Sequence, residues 1–237
     1  MKQKREGEAV ILGAVIVAAG SSSRMQGVDK QFLELEGVPV LIRSVRAFEG
    51  LGFVREIAVV VREEEIPRAM EMVRAFDLSK VRTICAGGTS RQQSVFNGVR
   101  SLSPECNFVA IHDGARPFID PEAITACVAD AARCRAACAA VPVKDTIKLR
   151  GEDGCIEGTP PRERLFIAQT PQVFERSLYT AAMENALARG EDYTDDCQLV
   201  EALGHRVFLS GGSYLNFKIT TPEDLILAQA LAAGEIY

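Results

Sequence analysis

The hydrophobic pattern of the chain alternates between two kinds of segment. Short, continuous apolar runs predict buried β-strands at residues 11–18, 57–61, 81–85, 108–112 and 137–143. Apolar residues at helical spacing predict helices between them, at residues 39–48, 64–76, 90–101 and 121–135. Alternation of strand and helix is typical of a parallel sheet with helices on both faces. The sequence therefore predicts an α/β fold with a mostly parallel, Rossmann-like sheet.

The pattern changes after Pro142. Residues 143–149 and 155–166 are more polar, the second carries two prolines, and they flank the turn sequence GEDG at residues 151–154. We interpret residues 143–166, approximately, as a protruding β-hairpin arm. Beyond it we expect the chain to return through residues 169–172, helices near 178–189 and 195–203, a strand near 206–209 and a last helix capped by the sequence TPED at 221–224.

Length and charge narrow the class of protein. A chain of 237 residues with 47% hydrophobic residues suits a single domain over residues 1–237. The net charge of -5 argues against a nucleic-acid partner, which usually requires an excess of Lys and Arg. The basic residues before the first apolar run imitate a signal peptide, but Glu6 and Glu8 interrupt them and the run fits a buried strand. No apolar stretch reaches the ~20 residues that a membrane span needs.

The cysteines indicate a reducing compartment. There are seven, an odd number, and no Cys-x-x-Cys pair occurs, so we expect neither a disulfide framework nor a zinc knuckle. Cys134 and Cys138 could share a helical face, yet only two histidines are available as further metal ligands. Buried core thiols and a cytoplasmic location are the expectation.

The loop after the first strand is the first candidate for chemistry. It reads AAGSSSRM at residues 18–25 and is followed by Lys30. Small residues allow backbone N–H groups to approach phosphate oxygens, while Arg24 and Lys30 supply positive charge. The spacing fits neither the Walker loop nor the dinucleotide fingerprint. A serine-rich turn is by itself more often a plain turn, and the two basic residues favour phosphate binding.

A second candidate is the sequence GGTSRQQS at residues 87–94, which follows a predicted strand and opens a predicted helix. A glycine pair permits the close approach of a base, and Ser94 can offer its hydroxyl to a pyrimidine edge or a ribose. A glycine-rich helix entry with a serine cap explains the same residues. The residues alone leave both interpretations open.

The third candidate is HDGARP at residues 112–117, where Asp113 ends an apolar strand. Open α/β sheets bind ligands at such strand ends. A carboxylate beside a triphosphate can hold Mg²⁺, directly or through water, and Arg116 can steer an anionic co-substrate. An Asp–Arg pair that only organises the turn is the alternative. His112, beside a buried strand, is expected to be a hydrogen-bonded structural residue.

These blocks resemble a known family. AAGSSSRM with the following Lys-Gln is similar to the signature of sugar nucleotidyltransferases, and residues 87–95 and 111–118 narrow the resemblance to the 2-C-methyl-D-erythritol 4-phosphate cytidylyltransferases. Further matching blocks, in family order, lie at residues 141–148, 169–172, 194–196 and 216–220. Two departures concern the loop: the interval from Arg24 to Lys30 is one residue short, and Asp29 stands where proline is common.

The resemblance implies that CTP and a small phosphorylated polyol react to release pyrophosphate. It implies charge stabilisation by Arg24 and Lys30, and a divalent cation, Mg²⁺ or another, at Asp113. CTP contacts are implied for Ala18, Ala19, Gly20, Gly87, Gly88, Ser94 and Asp113. Contacts to the polyol phosphate are implied for Arg116, Thr146, Arg162, Thr170, Thr194 and Lys218. It further implies a homodimer with shared active sites. A ribitol 5-phosphate cytidylyltransferase, with an HDAVRP-type third block, or a related sugar-phosphate cytidylyltransferase, is the alternative.

Overall fold

In the computed structural model, residues 9–20 and 29–235 are described. Along them the strands are β1 Leu12–Val17, β2 Glu34–Leu35, β3 Val38–Pro39, β4 Val54–Val61, β5 Val81–Ala86, β6 Phe108–Asp113, β7 Ala136–Pro142, β8 Leu149–Arg150, β9 Ile156–Gly158, β10 Phe166–Glu175 and β11 Phe208–Gly211. The helices are α1 Val40–Glu49, α2 Ile66–Ala75, α3 Arg91–Ser101, α4 Pro121–Cys134, α5 Arg176–Arg189, α6 Asp196–Ala202 and α7 Pro222–Ala232.

Seven of these strands form one sheet in the order β11-β7-β10-β6-β1-β4-β5. Neighbouring strands are parallel except at β10, which runs antiparallel to both β6 and β7. β1 lies inside the sheet and pairs with β4 on one side and β6 on the other. The predicted α/β class with a mostly parallel sheet is confirmed.

Alternate residues of β1 face two separate layers of helices. Ala14 and Ile16 pack in a cluster with α1, α2 and α4, whereas Val15 packs with α3, α5 and α6. All three side chains are fully buried. A strand covered on both faces needs apolar residues at consecutive positions, which explains the continuous run in the sequence.

Side-chain caps fix the predicted starts of several helices. Ser90 accepts a hydrogen bond from Gln93 N–H at 3.2 Å and begins α3. Thr221 and Asp224 form a capping box at the start of α7, as the sequence predicts. The five predicted strands and the helices between them are present, with ends that differ by up to three residues.

The sequence pattern missed β10, which we interpreted as a returning segment. This strand runs from Phe166 to Glu175 and fills the position between β6 and β7. Its central residues Gln169, Thr170 and Gln172 are polar but buried, and Pro171 follows a cis peptide bond. A strand with buried polar residues lacks the apolar run or alternation on which strand prediction depends.

The hairpin arm is present, with shorter strands than its sequence suggests. β8 and β9 pair antiparallel and form a sheet of their own. Gly154 in the turn has a φ of +85°, which favours glycine. Leu149 and Ile156 are 51% and 67% exposed. The arm therefore presents apolar side chains outside the core.

Two further observations concern the cysteines and the length of the helices. All seven cysteines are free thiols. Within residues 9–20 and 29–235, no helix combines the length and the apolar character needed to cross a bilayer.

Candidate active site

Three loops meet at the carboxyl ends of the parallel strands. Backbone hydrogen bonds hold them together, because Ala18 N–H donates to Val60 at 2.7 Å and Gly114 N–H donates to Val17 at 2.8 Å. The amide of Gly87 donates to Val61 at 2.8 Å. The candidate segments after β1, β5 and β6 therefore lie side by side at one edge of the sheet, where α/β proteins bind ligands.

Gly87 is required for the close contact between two of these loops. A Cβ atom on this residue would lie 2.4 Å from Ala19 Cβ and 2.9 Å from Ser94 Oγ. Gly88 N–H donates to Ser94 Oγ at 3.0 Å, and the Ser94 hydroxyl donates to Ser90 C=O at 2.8 Å. Ser94 thus shapes the glycine loop, and a direct contact from this hydroxyl to CTP stays a prediction.

Lys30 stands at the far end of the loop that begins with Ala18 and Gly20. It opens a short 3-10 turn, Lys30–Phe32. The preceding Asp29, one of the two departures from the family pattern, forms an ion pair with Arg62, the residue after β4. That pair ties the end of the loop to the sheet edge. Arg24, the other proposed cation, lies outside the described residues.

Asp113 is the electrostatic centre of the site. It is 7% exposed, and its Oδ2 lies 3.1 Å from Arg116 Nε and 3.2 Å from Lys218 Nζ. Burial by itself would raise the pKa of Asp113, but the charges of Lys218, Arg116 and Arg91 hold that pKa well below its ordinary value. The carboxylate is therefore ionised at neutral pH and can act as an acceptor or a metal ligand.

Hydrogen bonds link the backbone of Asp113 to the side chains of Thr170 and His112. Its backbone N–H donates to Thr170 Oγ1 at 3.0 Å, and Thr170 Oγ1 lies 3.0 Å from His112 Nδ1. Burial lowers the pKa of His112 to about 4, so the ring is neutral at pH 7. The consistent tautomer has Nε2–H donating to Arg116 C=O at 3.3 Å. His112 is structural, as expected, and a substrate contact from the buried Thr170 stays a prediction.

The segment before α7 brings Lys218 to the site. Ile219 N–H donates to Ala115 C=O at 2.9 Å, and Arg116 Nη1 donates to Asn216 C=O at 2.7 Å. The fully buried Asn216 also donates to Thr170 C=O at 2.8 Å. These bonds gather Asp113, Arg116, Thr170 and Lys218, four residues from three distant parts of the sequence.

The other residues implied for the polyol phosphate lie apart from this group. Thr146 and Arg162 are exposed on the arm, where Arg162 Nη1 donates to Lys144 C=O at 2.9 Å. The described residues show no hydrogen bond or ion pair from either side chain to Asp113 or Lys218. Thr194 lies before α6 and donates to Gln198 Oε1 at 3.0 Å. The structure of one subunit therefore assembles part of the predicted set.

One ion pair in the site region has no counterpart in the sequence predictions. Arg91 Nη1 lies 2.7 Å from Asp196 Oδ2, and the Asp196 side chain is fully buried. Arg91 belongs to the glycine-loop block and Asp196 to the block at residues 194–196, but nothing in their spacing indicates that they pair. Only the fold brings these two blocks together.

The described residues contain no cluster of three or more side chains suited to hold a metal ion. Mg²⁺ commonly uses one or two carboxylates together with substrate phosphates, so a single ionised Asp113 fits a cation that a triphosphate brings with it. Both ion pairs of Asp113 use Oδ2. Neither ion pair uses Asp113 Oδ1.

A glycine loop packed against small residues, a lysine and an ionised aspartate at the carboxyl edge of the sheet are typical of a nucleotidyltransferase. Comparison with known proteins gives the particular family. A model of the 2-C-methyl-D-erythritol 4-phosphate cytidylyltransferase family matches residues 12–233. The chain belongs to this family.

Relatives and solved structures agree with that assignment. Proteins of this name from Dehalococcoides mccartyi and Caldanaerobacter subterraneus are each 46% identical over 220 residues, which cover 93% and 92% of this chain and 95% and 97% of the relative. The 4-diphosphocytidyl-2C-methyl-D-erythritol synthase of Anaerococcus prevotii has a TM-score of 0.86 at 32% identity, covering 95% of this chain and 97% of that one. The cytidylyltransferase of Thermus thermophilus has a TM-score of 0.76 at 32% identity, with coverage of 93% and 98%.

Proposed function

We infer that the protein transfers the cytidylyl group of CTP to 2-C-methyl-D-erythritol 4-phosphate, giving 4-diphosphocytidyl-2-C-methyl-D-erythritol and pyrophosphate in the non-mevalonate pathway. The family match over residues 12–233 carries this inference. The site supports it, because Asp113 lies between Lys218 and Arg116 at the edge of the sheet where a triphosphate would bind.

The proposed reaction is a single in-line displacement. A phosphate oxygen of the acceptor attacks the α-phosphorus of CTP, and the bond from that phosphorus to the oxygen bridging to the β-phosphate breaks. Both electrons of the broken bond leave with pyrophosphate. The nucleophile is already an anion, so no covalent enzyme intermediate is needed. The protein chiefly aligns two anionic reactants and offsets the charge that grows in the transition state.

We assign the phosphates of CTP to the loop from Ala18 through Ala19 and Gly20 to Lys30, with Lys30 and Arg24 offsetting charge in the transition state. The base is assigned to Gly87, Gly88 and Ser94. For the acceptor phosphate we propose contacts from Arg116, Lys218, Thr194, Thr170, Thr146 and Arg162. The pairing of Arg116 and Lys218 around Asp113 supports the first two, because it orients both cations towards the site.

Asp113 is the proposed partner of a divalent cation, Mg²⁺ in our proposal. Bound there, the cation would neutralise part of the triphosphate charge. The protein's own contribution is an ionised carboxylate, kept in that form by Lys218 and Arg116.

We further propose a homodimer in which the arm of one subunit completes the site of the other. Arg162 lies on the arm and has no hydrogen bond or ion pair to Asp113 within the described residues of its own subunit. The arm and the start of β10 expose large apolar side chains, namely Leu149, Ile156, Phe166 and Ile167. An exposed apolar surface of this kind is typical of a contact between proteins.

Pyrophosphate release from CTP tests the proposed function directly. It should be fast with methylerythritol phosphate and slow with ribitol and glycerol phosphates, and CTP should be preferred over ATP and GTP because the tight glycine approach suits a pyrimidine. Faster release with ribitol phosphate would favour the alternative cytidylyltransferase. Comparable kcat/KM for ATP would contradict the assignment of CTP.

A further inference from the structure

Three successive side chains at the start of α3 bind one segment, residues 191–196 (the 191–196 loop), whose last residue, Asp196, is the first residue of α6. Ser90 Oγ donates to Asp192 Oδ1 at 3.0 Å, Arg91 Nη1 pairs with Asp196 Oδ2 at 2.7 Å, and Gln92 donates to Glu191 C=O at 3.1 Å and accepts from Tyr193 N–H at 2.9 Å. The start of α3 thus contacts the 191–196 loop at residues 191, 192, 193 and 196.

The ion pair is the buried part of this attachment. Asp196 is fully buried, and its Oδ1 accepts a hydrogen bond from Tyr179 at 2.7 Å. Its backbone N–H donates to Gln172 at 3.1 Å. Among the described residues, Arg91 is the cation that pairs with this carboxylate. A buried charge that loses its partner is strongly destabilised, so the position of α6 depends on Arg91.

The two sides of the attachment carry different parts of the proposed site. The segment before and within α3 carries Gly88 and Ser94, assigned to the base of CTP. The 191–196 loop carries Thr194, assigned to the acceptor. We propose that Arg91, through its ion pair with Asp196, is a positioning residue that holds the 191–196 loop in place for the phosphorylated acceptor. The proposal rests on the proposed function for the identity of the acceptor.

A positioning role predicts an unequal effect on the two substrates. Arg91→Met removes the ion pair, so the 191–196 loop moves and kcat/KM for the acceptor should fall by about ten- to a hundredfold. The KM for CTP should change by less than about threefold. Arg91→Lys keeps the charge but loses the planar fork of donors, so it should restore part of the loss.

The matched control is Arg100→Met. Arg100 lies in the last turn of the same helix, is exposed and stacks over the Phe96 ring at 4.4 Å from the ring centroid. The double variant Arg91→Met/Asp196→Asn removes both charges, so no unpaired charge stays buried if the single variant folds poorly. Expressed as a free energy, its loss of kcat/KM for the acceptor should be smaller than the sum of the losses in Arg91→Met and Asp196→Asn. The reason is that both single variants break the same ion pair.

Hydrogen exchange of backbone amides provides a readout that needs no substrate. In Arg91→Met, amides of residues 191–196 should exchange faster than in the wild type, while Arg100→Met leaves them unchanged. Unchanged exchange in Arg91→Met, or a loss confined to the KM for CTP, would overturn the proposal. If the wild type itself does not use methylerythritol phosphate, the proposed function fails, and the exchange result still decides whether Arg91 positions the loop.

Discussion

Lys218 Nζ lies 3.2 Å from the Asp113 carboxylate, and this ion pair determines the charge state of the candidate site. Burial opposes ionisation of Asp113, whereas Lys218 is the strongest of the cations that favour it. A carboxylate whose folded pKa is depressed stabilises the fold above its ordinary pKa, and that stability is lost as the pH falls through the folded pKa. Asp113 is therefore ionised over the whole neutral range.

Replacing Lys218 by Met should raise the pKa of Asp113, because burial then acts with less compensation. The acidic limb of the kcat/KM profile should move to higher pH. The second ionisation of the acceptor phosphate affects the wild type and Lys218→Met equally. A difference between their two pH profiles of kcat/KM therefore arises from a group of the protein. The control is Lys80→Met, because Lys80 precedes the amino end of β5, whereas Asp113 lies at the carboxyl ends of the strands. An acidic limb that does not move would contradict the role of this ion pair.

Gly87→Ala should damage the nucleotide side of the site. The added Cβ would lie 2.4 Å from Ala19 Cβ, so one of the two loops must shift. We expect a loss of about 1–3 kcal/mol in stability and a higher KM for CTP. Gly52→Ala is the matched control, because no atom lies within 4 Å of its added Cβ. Denaturant unfolding and CTP kinetics of both variants check this; equal behaviour would rule out the close contact.

His112 should make stability dependent on pH. Its folded pKa is about 4, against an ordinary value of 6.5, because the ring is buried. Between these values the unfolded chain binds the proton and the folded protein does not, so stability falls as the pH is lowered from 6.5 to 4. The stability lost through His112 when the pH falls from 6.5 to 4 is on the order of 3 kcal/mol.

Unfolding by urea at several pH values tests this expectation. His112→Gln should show a weaker loss of stability between pH 6.5 and 4 than the wild type. His205→Gln, at the second of the two histidines, is the control. A slope that is unchanged in His112→Gln would show that the buried ring does not resist protonation.

Much of the fold follows from the sequence because a doubly covered sheet leaves a clear apolar signal. β1 is one example, since Ala14, Val15 and Ile16 are all buried. β10 escaped prediction for the opposite reason, because Gln169 and Gln172 are polar, buried and bonded to distant segments. Strand prediction does not anticipate such tertiary hydrogen bonds.

In the candidate site too, some features follow from the sequence and others are seen only in the structure. Asp113 and the glycine loop follow predicted strands, so topology alone brings them to one edge. The pairing of Asp113 with Lys218 and of Arg91 with Asp196 joins residues far apart in the sequence. Local spacing carries no information on such pairs. All four residues lie in sequence blocks that match the family, but which of them pair could be seen only in the structure.

Shared active sites predict recovery of activity in mixed dimers. Lys30→Ala should lower kcat by about 10²–10³-fold through loss of one electrostatic partner. Arg162→Ala should be similarly impaired if the arm supplies this residue to the other subunit. In a mixed dimer, one site loses both groups and the other regains both. Random reassortment under two-fold symmetry should restore roughly a quarter of wild-type activity.

The control is the mixture of each variant with itself, carried through the same reassortment. Mass measurement confirms that mixed dimers form. Mixed dimers without recovered activity would place Arg162 in the site of its own subunit and refute the shared arrangement.

The most direct test of the central claim follows the atoms of the reaction. Methylerythritol phosphate labelled with ¹⁸O in its phosphate is incubated with CTP, and the products are analysed by ³¹P NMR and mass spectrometry. Attack on the α-phosphorus predicts that the label stays in a diphosphocytidyl product and that the pyrophosphate is unlabelled. Label in the pyrophosphate, or formation of CDP or free CMP in place of that product, would contradict cytidylyl transfer to this acceptor.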